Sequence, residues 1–213
     1  MSHKSYVSMN IAIMGAGRNS ESLAKSLASA GHEIFMGLTN YDNPISYYLR
    51  DTYENINITS VEQAAAMADI IVIATPLDEV RKTAYLLDDV RRKVVIDITS
   101  SVSVRTEDYL NSLNAIRSIT GSTHVVKCLN CKGYENLISP LFHDKAIDML
   151  VVGESKKAKE VVKILSKDLG MENIYDFGNN DATLLMDEMA KCWHNVAIRQ
   201  KIGRKITFKV EKL

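Results

Sequence analysis

Cysteine and proline are both scarce in this chain of 213 residues, which contains three of each. Three cysteines are too few for the disulfide framework of a small secreted protein. The sequence shows no internal repeat, no low-complexity stretch and no clear linker that would divide it. Its length suits one domain. We therefore expect residues 9–213 to form a single domain, preceded by a flexible arm of residues 1–8.

The sequence also lacks an excess of charge of either sign and lacks long apolar runs. Its 26 basic residues balance 26 acidic residues, whereas proteins that bind nucleic acids usually carry a basic excess. No apolar run approaches the roughly 18 residues of a membrane span, and the N-terminus has no apolar core of signal-peptide length. We expect a cytoplasmic protein whose partners include neither nucleic acid nor membrane.

Short β-branched segments alternate with helical patterns through most of the chain. Among the predicted strands are Asn10–Met14, Glu33–Gly37, Asp69–Ala74 and Lys93–Ile98. Such alternation is typical of βαβ units that build a parallel sheet. It predicts an α/β fold, a Rossmann-type doubly wound and mainly parallel sheet with a small C-terminal extension.

Some segments carry weaker signals. The stretch 38–57 is polar and predicts turns with one short helix, and residues 106–113 predict a helix. Residues 182–199 predict the last long helix. The alternation in residues 205–210 predicts either a terminal strand or the end of a helix.

The most informative motif is the glycine-rich segment Gly15–Ser20, which lies between the first predicted strand and the first predicted helix. Gly15 permits a tight turn, Gly17 lets a pyrophosphate approach the backbone, and Ser20 is small enough for the helix to pack on the strand. The helix N-terminus offers N–H groups and a partial positive charge to phosphates. We predict a dinucleotide site here, and a turn without a ligand is the alternative. The predicted contacts are Gly15, Gly17, Arg18, Asn19 and Ser20.

The residues after the second predicted strand bear on the choice between NAD and NADP. An acidic residue there binds the ribose hydroxyls of NAD, whereas an arginine favours NADP. This chain has neither, because the segment Gly37–Asn40 reads Gly-Leu-Thr-Asn. We predict NADP, held at its 2′-phosphate by Thr39, Asn40 and Arg18, and NAD stays an alternative.

Other strand ends supply further candidate cofactor contacts. Ligands of open α/β sheets bind in the crevice at the carboxyl ends of the strands. The residues that directly follow later predicted strands should therefore line the same crevice. They are Thr75, Pro76, Leu77, Thr99, Ser100 and Asn130.

No nucleophile, acid and base stand out together, so no catalytic residue is assigned. We interpret Asp97, at the end of a buried strand pattern, as a strand residue paired with a neighbouring helix. Cys128 and Cys131 form a Cys-x-x-Cys motif with His124 four residues earlier. A zinc site needs a fourth ligand, and a redox pair usually opens a helix. We interpret both cysteines as packed residues and predict no metal site.

Several segments resemble the deazaflavin (coenzyme F-420)-dependent NADP oxidoreductase family. They are Ile11–Gly17, Gly31–Ile34, Gly37 and, more specifically, Val125–Asn130, which has the pattern Val-Val-Lys-x-x-Asn. The cytoplasmic reductase domain of six-transmembrane ferric reductases is similar. The likeness extends over about residues 10–210, which is nearly the whole chain.

The resemblance implies a small Rossmann protein, often a homodimer, that binds NADP and exchanges a hydride with a deazaflavin or flavin. The cofactors carry this chemistry, so a protein nucleophile is not needed. In the family, Gly-Ser-Arg typically follows the second strand and binds the 2′-phosphate, whereas Leu38 and Thr39 replace the Ser and Arg here.

Two other functions stay open. The first is a dinucleotide-binding sensor or regulatory protein without turnover, which the missing Ser-Arg pair and the unassigned catalytic residue favour. The second, ranked last, is an S-adenosylmethionine-dependent methyltransferase. That class normally has an acidic residue after the second strand, and none is present at residues 38–40.

Overall fold

An eight-stranded sheet forms the centre of the molecule. The structure is a computed structural model that describes residues 7–40, 44–99, 111–129, 141–142 and 145–211. The strands of the large sheet are β1 (Asn10–Met14), β2 (Glu33–Gly37), β3 (Ile56–Thr59), β4 (Ile70–Ile73), β5 (Val94–Asp97), β6 (Val125–Leu129), β9 (Asp148–Val152) and β10 (Asn173–Asp176). The short strands β7 (Leu141–Phe142) and β8 (Lys145–Ala146) pair with each other separately.

The strand order is β3-β2-β1-β4-β5-β6-β9-β10. The first six strands in this order are parallel, β9 runs antiparallel to β6, and β10 runs parallel to β9. The order 3-2-1-4-5-6 is that of a Rossmann sheet. The predicted fold class is therefore confirmed, and the strand order reverses its direction between β1 and β4.

Helices connect the parallel strands and begin where the sequence offers capping side chains. Ser60, Asn111 and Ser155 each accept a hydrogen bond from a backbone N–H in the first turn of the helix that follows, as N-cap residues do. Within the described ranges, no helix combines the length and the apolar character of a transmembrane segment. The helices are α1 (Arg18–Ser29), α2 (Pro44–Thr52), α3 (Val61–Met67), α4 (Val80–Leu86), α5 (Ser112–Thr120), α6 (Lys156–Asp168) and α7 (Thr183–His194).

The apolar core lies on both faces of the sheet, as a doubly wound fold requires. Ile11 and Ile13 of β1 pack on one face with residues of α1 and α6. Ala12 and Met14 of the same strand pack on the other face with residues of α3, α4 and α5. Because successive residues of β1 point to opposite faces and these four are buried, the strand is continuously apolar from Ile11 to Met14.

One element differs from the sequence prediction. The stretch 38–57 contains the predicted short helix, α2, but the last two residues of the stretch begin the strand β3, which lies at the edge of the sheet and is only partly buried. Its weak apolar pattern follows from that exposure. Most of the helix predicted over residues 106–113 lies outside the described part, which lacks residues 100–110. Its last two residues belong to α5, which begins at Ser112 and ends at Thr120.

The C-terminal segment agrees with the prediction in its helix and differs after it. The α-helix Thr183–His194 is followed directly by one π-helical turn, Asn195–Arg199, so helical backbone covers nearly all of the predicted range 182–199. Residues 205–210 form neither strand nor helix. Their contacts include hydrogen bonds from Trp193 Nε1 to the Ile206 carbonyl (2.9 Å) and from Val210 N to Asp148 (2.9 Å), and an ion pair between Lys209 and Glu172 (3.2 Å). The alternation of apolar and polar residues in this segment is not sufficient for a strand, because residues 205–210 do not pair with a neighbouring strand.

Gly37→Ala tests how closely α3 packs on the sheet. A Cβ at Gly37 would overlap the Met14 side chain of β1, and it would lie 3.1 Å from Val61 Cα and 3.2 Å from Ala64 Cβ of α3. We expect the free energy of unfolding to fall by about 1–3 kcal/mol because of overpacking. Urea unfolding measures it, with Gly17→Ala as the control because its new Cβ would meet nothing closer than 3.8 Å. Equal stability of both variants would contradict the packing.

Candidate functional site

Gly15 is the point at which three strand ends meet. It follows β1, its N–H donates to the Gly37 carbonyl at the end of β2 (3.2 Å), and a Cβ on it would lie 3.0 Å from the Ala74 carbonyl oxygen after β4. Its φ of +125° is also a conformation that favours glycine. Backbone geometry and close approach therefore both require glycine here, at the reversal of the strand order.

Gly17 is required by neither conformation nor internal packing. Its φ is −82°, and a Cβ would meet only Ser20 Oγ, at 3.8 Å. The residue caps α1, and the first helical hydrogen bond runs from Glu21 N to the Gly17 carbonyl (3.0 Å). The N–H groups of the first helical turn precede that bond and lack partners within the helix. The open space that a Cβ would fill thus lies at the positive end of α1.

The side chain of Ser20 hydrogen-bonds the backbone of the glycine loop. It is fully buried and its Oγ donates to the Gly17 carbonyl (2.9 Å). A larger side chain would not fit between α1 and the sheet, which agrees with the small residue expected at this position. Arg18 and Asn19, in contrast, are exposed on the first turn of α1.

The residues after β2 lie at the same edge of the sheet. Met14 and Gly37 are paired in the parallel ladder of β1 and β2, so the segment after Gly37 runs beside the glycine loop. Leu38 is buried, whereas Thr39 and Asn40 are exposed. The structure thus places Arg18, Thr39 and Asn40 at one edge of the sheet, and their predicted contact with a 2′-phosphate stays a prediction.

Thr75 is a buried polar residue beside Gly15. Its side chain is 8 % exposed, and its Oγ1 finds no hydrogen-bond partner in the described part of the chain. A buried hydroxyl without a partner costs roughly 1–3 kcal/mol. Pro76 is exposed, whereas the Leu77 side chain belongs to the apolar core. Of these three residues, Thr75 therefore has an unmet capacity to bind a ligand.

A cluster of buried charges lies at the carboxyl ends of β5 and β6. Asp97 is fully buried; its Oδ1 accepts hydrogen bonds from Thr99 N (2.8 Å) and Thr99 Oγ1 (2.6 Å), and its Oδ2 accepts one from Ser112 Oγ at the start of α5. Lys127, 1 % exposed, donates to Asp97 (3.1 Å) and to Ser112 (2.8 Å). The interpretation of Asp97 as a strand residue paired with a neighbouring helix agrees with this geometry.

Asp187 of α7 completes the cluster. Its Oδ1 lies 3.3 Å from Lys127 Nζ, within ion-pair distance but outside hydrogen-bond geometry. Burial, the largest single influence, lowers the pKa of Lys127, yet the attraction of Asp97 and Asp187 outweighs it. The pKa of Lys127 is therefore raised above its ordinary value of 10.5, and the ammonium group keeps its charge.

Sequence reasoning did not single out Lys127 or Asp187. The available signal was a lysine inside the otherwise apolar pattern Val125–Leu129, since a buried lysine needs a carboxylate partner. The partner in α7 could not be identified in the same way, because nothing in the sequence links α7 to β6.

Cys128 lies in β6, next to Lys127, and its thiol is unreactive. Burial raises the pKa of its thiol above the ordinary value, with a smaller contribution from Asp97. A buried protonated thiol is a poor nucleophile and a poor metal ligand. Cys131 and the predicted site residues Ser100 and Asn130 lie outside the described residues, so the pairing of the two cysteines stays untested.

The sequence around this site is similar to that of a known protein family. The model of the family described as "NADP oxidoreductase coenzyme F420-dependent" matches residues 10–101, which contain the glycine loop, Thr75 and Asp97. This match confirms the resemblance seen in the sequence over residues 10–101, which are less than half of the chain.

Solved structures share the fold. A protein of Arthrobacter sp. FB24, provisionally assigned as an F-420-dependent NADP reductase, is 21 % identical, with a TM-score of 0.84 over 96 % of this chain and 100 % of that one. A hypothetical protein of Sinorhizobium meliloti is 19 % identical, with a TM-score of 0.70 over 96 % of each chain. A pyrroline-5-carboxylate reductase of Coxiella burnetii is 15 % identical, with a TM-score of 0.63 over 83 % of this chain and 61 % of that one.

Lys127→Met tests the buried charge cluster. The variant leaves Asp97 and Asp187 buried without a cation, and we expect a loss of about 3–5 kcal/mol in the free energy of unfolding. The matched control is Lys191→Met, whose ammonium pairs with Glu188 at the surface and is expected to contribute less than about 1 kcal/mol. Urea unfolding at neutral pH compares them, and equal losses would contradict the role of Lys127.

The same cluster predicts a dependence on alkaline pH. Because the pKa of Lys127 is higher in the folded chain than its ordinary 10.5, its contribution to stability is complete below that value. It is lost as the pH rises above 10.5 through the folded pKa. Urea unfolding from pH 9 upwards should show a steeper decline for the wild-type chain than for Lys127→Met. Parallel declines would show that other groups account for the alkaline loss.

Proposed function

We propose that this protein is an NADP(H)-dependent oxidoreductase that transfers a hydride between the nicotinamide and a deazaflavin or flavin-like acceptor. The observation that carries the proposal is the open cradle at Gly17, above the N-terminus of α1 at the reversal of the strand order. A glycine with ordinary φ and no packing restriction is explained by a ligand that needs the space.

The glycine loop fits the pyrophosphate of a dinucleotide. Gly15 brings the ends of β1 and β4 together, Gly17 leaves the approach open, and the N–H groups of the first turn of α1 face the phosphates. Arg18 and Asn19 are exposed beside this turn and add polar contacts. In this proposal the loop binds through its backbone, and its side chains have a secondary role.

The other end of the crevice fits the nicotinamide half. The buried Thr75 hydroxyl, which lacks a partner in the described residues, would hydrogen-bond a polar group of the cofactor. Pro76 and Thr99 follow the adjacent strands β4 and β5 and would line the same space. Leu77 supports this wall from the core. Ser100 and Asn130 stay predicted contacts.

The chemistry at this site needs no acid or base from the protein. When bound, the nicotinamide supplies a hydride and the ring acceptor receives it, so the chain has to position both rings and exclude water. Asp97 and Lys127 are at most 1 % exposed and pair with each other, which makes them poor proton donors to a substrate. This arrangement supports transfer between two ring cofactors.

A homodimer is part of the proposal, because the resembling family often forms one. Leu184 and Leu185 are both at least half exposed on α7 and are suitable for a contact with a second copy. Analytical ultracentrifugation of the purified chain distinguishes a dimer from a monomer. The assignment to one domain of residues 9–213 and to the cytoplasm stays a prediction.

Titration with NADPH and NADH, followed by rapid-mixing assays with deazaflavin, flavin and ferric acceptors, tests the function. Binding of NADPH with acceptor-dependent oxidation supports the proposal. Failure to bind either nucleotide below millimolar concentration would refute it. Tight binding without oxidation by any acceptor would instead favour the sensor without turnover.

Gly17→Ala separates ligand binding from folding. We expect unfolding in urea to change by less than about 0.5 kcal/mol, since the new Cβ meets no protein atom within 3.8 Å. The affinity for NADPH should fall at least about tenfold, because the methyl group occupies the approach of the pyrophosphate. Calorimetric titration measures it, with Ala16→Ser on the same exposed loop as the control. Unchanged affinity would show that the pyrophosphate lies elsewhere.

A further inference from the structure

A cavity of about 380 Å³ lies beyond the glycine loop at the edge of the sheet. It is formed where α2 and α3 flank the edge strand β3. One cationic side chain, Arg50, is among its lining residues, together with hydroxyl and amide groups. The lining residues are Ser46, Tyr47, Arg50, Ile58, Thr59 and Gln63.

The cavity lies on the adenosine side of the crevice. Met14, Gly37 and Thr59 form one row across β1, β2 and β3, and neighbouring strands are about 4.8 Å apart. Thr59 is therefore on the order of 10 Å from the end of β1, where the glycine loop begins. In a Rossmann fold the adenosine ribose extends from the glycine loop to the end of the second strand. A group attached to that ribose would point toward this cavity.

The charges around the cavity suit a phosphate monoester. Arg50 lies in its wall, with its guanidinium 5.3 Å from the centre of the Tyr47 ring. Its Nε is 3.6 Å from Asp51, but these side chains are 62 % and 72 % exposed, so that pair contributes little. The Thr59 hydroxyl donates to the Gln63 side chain, which keeps two polar groups at the wall.

The end of β2 provides no competing charge. Leu38 is buried and Thr39 and Asn40 are neutral, so the described segment that they form after β2 carries no carboxylate that would bind the ribose hydroxyls of NAD and repel a 2′-phosphate. No arginine follows β2 either. A cation for this position therefore has to come from another element. Arg18 of α1 and Arg50 of α2 are two candidates, and of these two Arg50 lines the cavity.

We propose that this cavity binds the 2′-phosphate of NADP(H) and that Arg50 is the specificity-determining residue for NADP(H) over NAD(H). The inference rests on the proposed function. Arg50 takes the role that an arginine after β2 has in other Rossmann proteins, and Thr59 and Gln63 supply polar contacts. A planar guanidinium suits a phosphate because it can donate two parallel hydrogen bonds.

Dissociation constants for NADPH and NADH, measured by calorimetry, test the proposal with Arg50→Gln and Arg50→Lys. We expect Arg50→Gln to weaken NADPH binding about 10- to 100-fold and to leave NADH binding unchanged. Arg50→Lys should retain part of the preference, because a lysine keeps the charge but not the paired donors. Arg50 is exposed, so the variants should fold, and thermal unfolding verifies it.

The affinities for adenosine 2′,5′-bisphosphate and for 5′-AMP test the adenosine end of the site alone, because these fragments lack the nicotinamide half and differ from each other by the 2′-phosphate. Loss of preference for the bisphosphate in Arg50→Gln supports the assignment. Arg92→Gln, at an exposed arginine before β5 and so at the opposite edge of the sheet, is the matched control and should keep the wild-type ratio.

Two results would overturn the assignment without affecting the proposed function. One is an unchanged NADPH-to-NADH ratio in Arg50→Gln, and the other is loss of the preference in Arg18→Gln alone, which would place the phosphate at the glycine loop. If the wild-type chain binds neither nucleotide, the proposed function itself fails, and the cavity assignment fails with it.

Discussion

The buried ammonium group of Lys127 is the interaction on which the second half of the molecule depends. It joins β6 to Asp97 of β5, to Ser112 at the start of α5 and to Asp187 of α7. Without this cation, the buried carboxylates of Asp97 and Asp187 would both lose the positive charge that compensates them. Because Asp97 in turn holds Thr99 through two hydrogen bonds, the turn that follows β5 is fixed by the same cation. The position of α7 and the wall of the crevice are thus physically coupled.

The two halves of the crevice are built in different ways. At the ends of β1, β2 and β4, the chain brings backbones together, and Gly15 is the residue that permits this approach. At the ends of β5 and β6, side chains with opposite charges fill the space instead. The first arrangement leaves N–H groups and room for a ligand. The second arrangement leaves no space for a ligand within the charge cluster. It makes this side of the crevice rigid, as a surface that positions the proposed nicotinamide ring would have to be.

Much of the fold could be predicted from local signals in the sequence. The glycine loop and the strands on either side of α1 follow from adjacent residues, so β1 and β2 were predicted with their observed bounds. The strand β3 could not be predicted, because an edge strand is only partly buried and has a weak apolar pattern. The pairing of Lys127 with Asp187 depends on tertiary packing, and no local pattern encodes it. The cavity near Arg50 is likewise a product of how α2 and α3 pack around β3.

The balance of 26 basic and 26 acidic residues gives this chain no overall attraction for an anionic cofactor. Any attraction must therefore be local, and the structure offers it in two separate forms. The dipole and N–H groups of α1 are backbone features, and they are tied to the packing of Gly15 and Ser20. Arg50 is a single exposed side chain on α2 whose replacement leaves the core intact. In the proposed arrangement, cofactor binding and cofactor preference therefore reside in different elements, and the preference would change without a change in the fold or in the proposed pyrophosphate site.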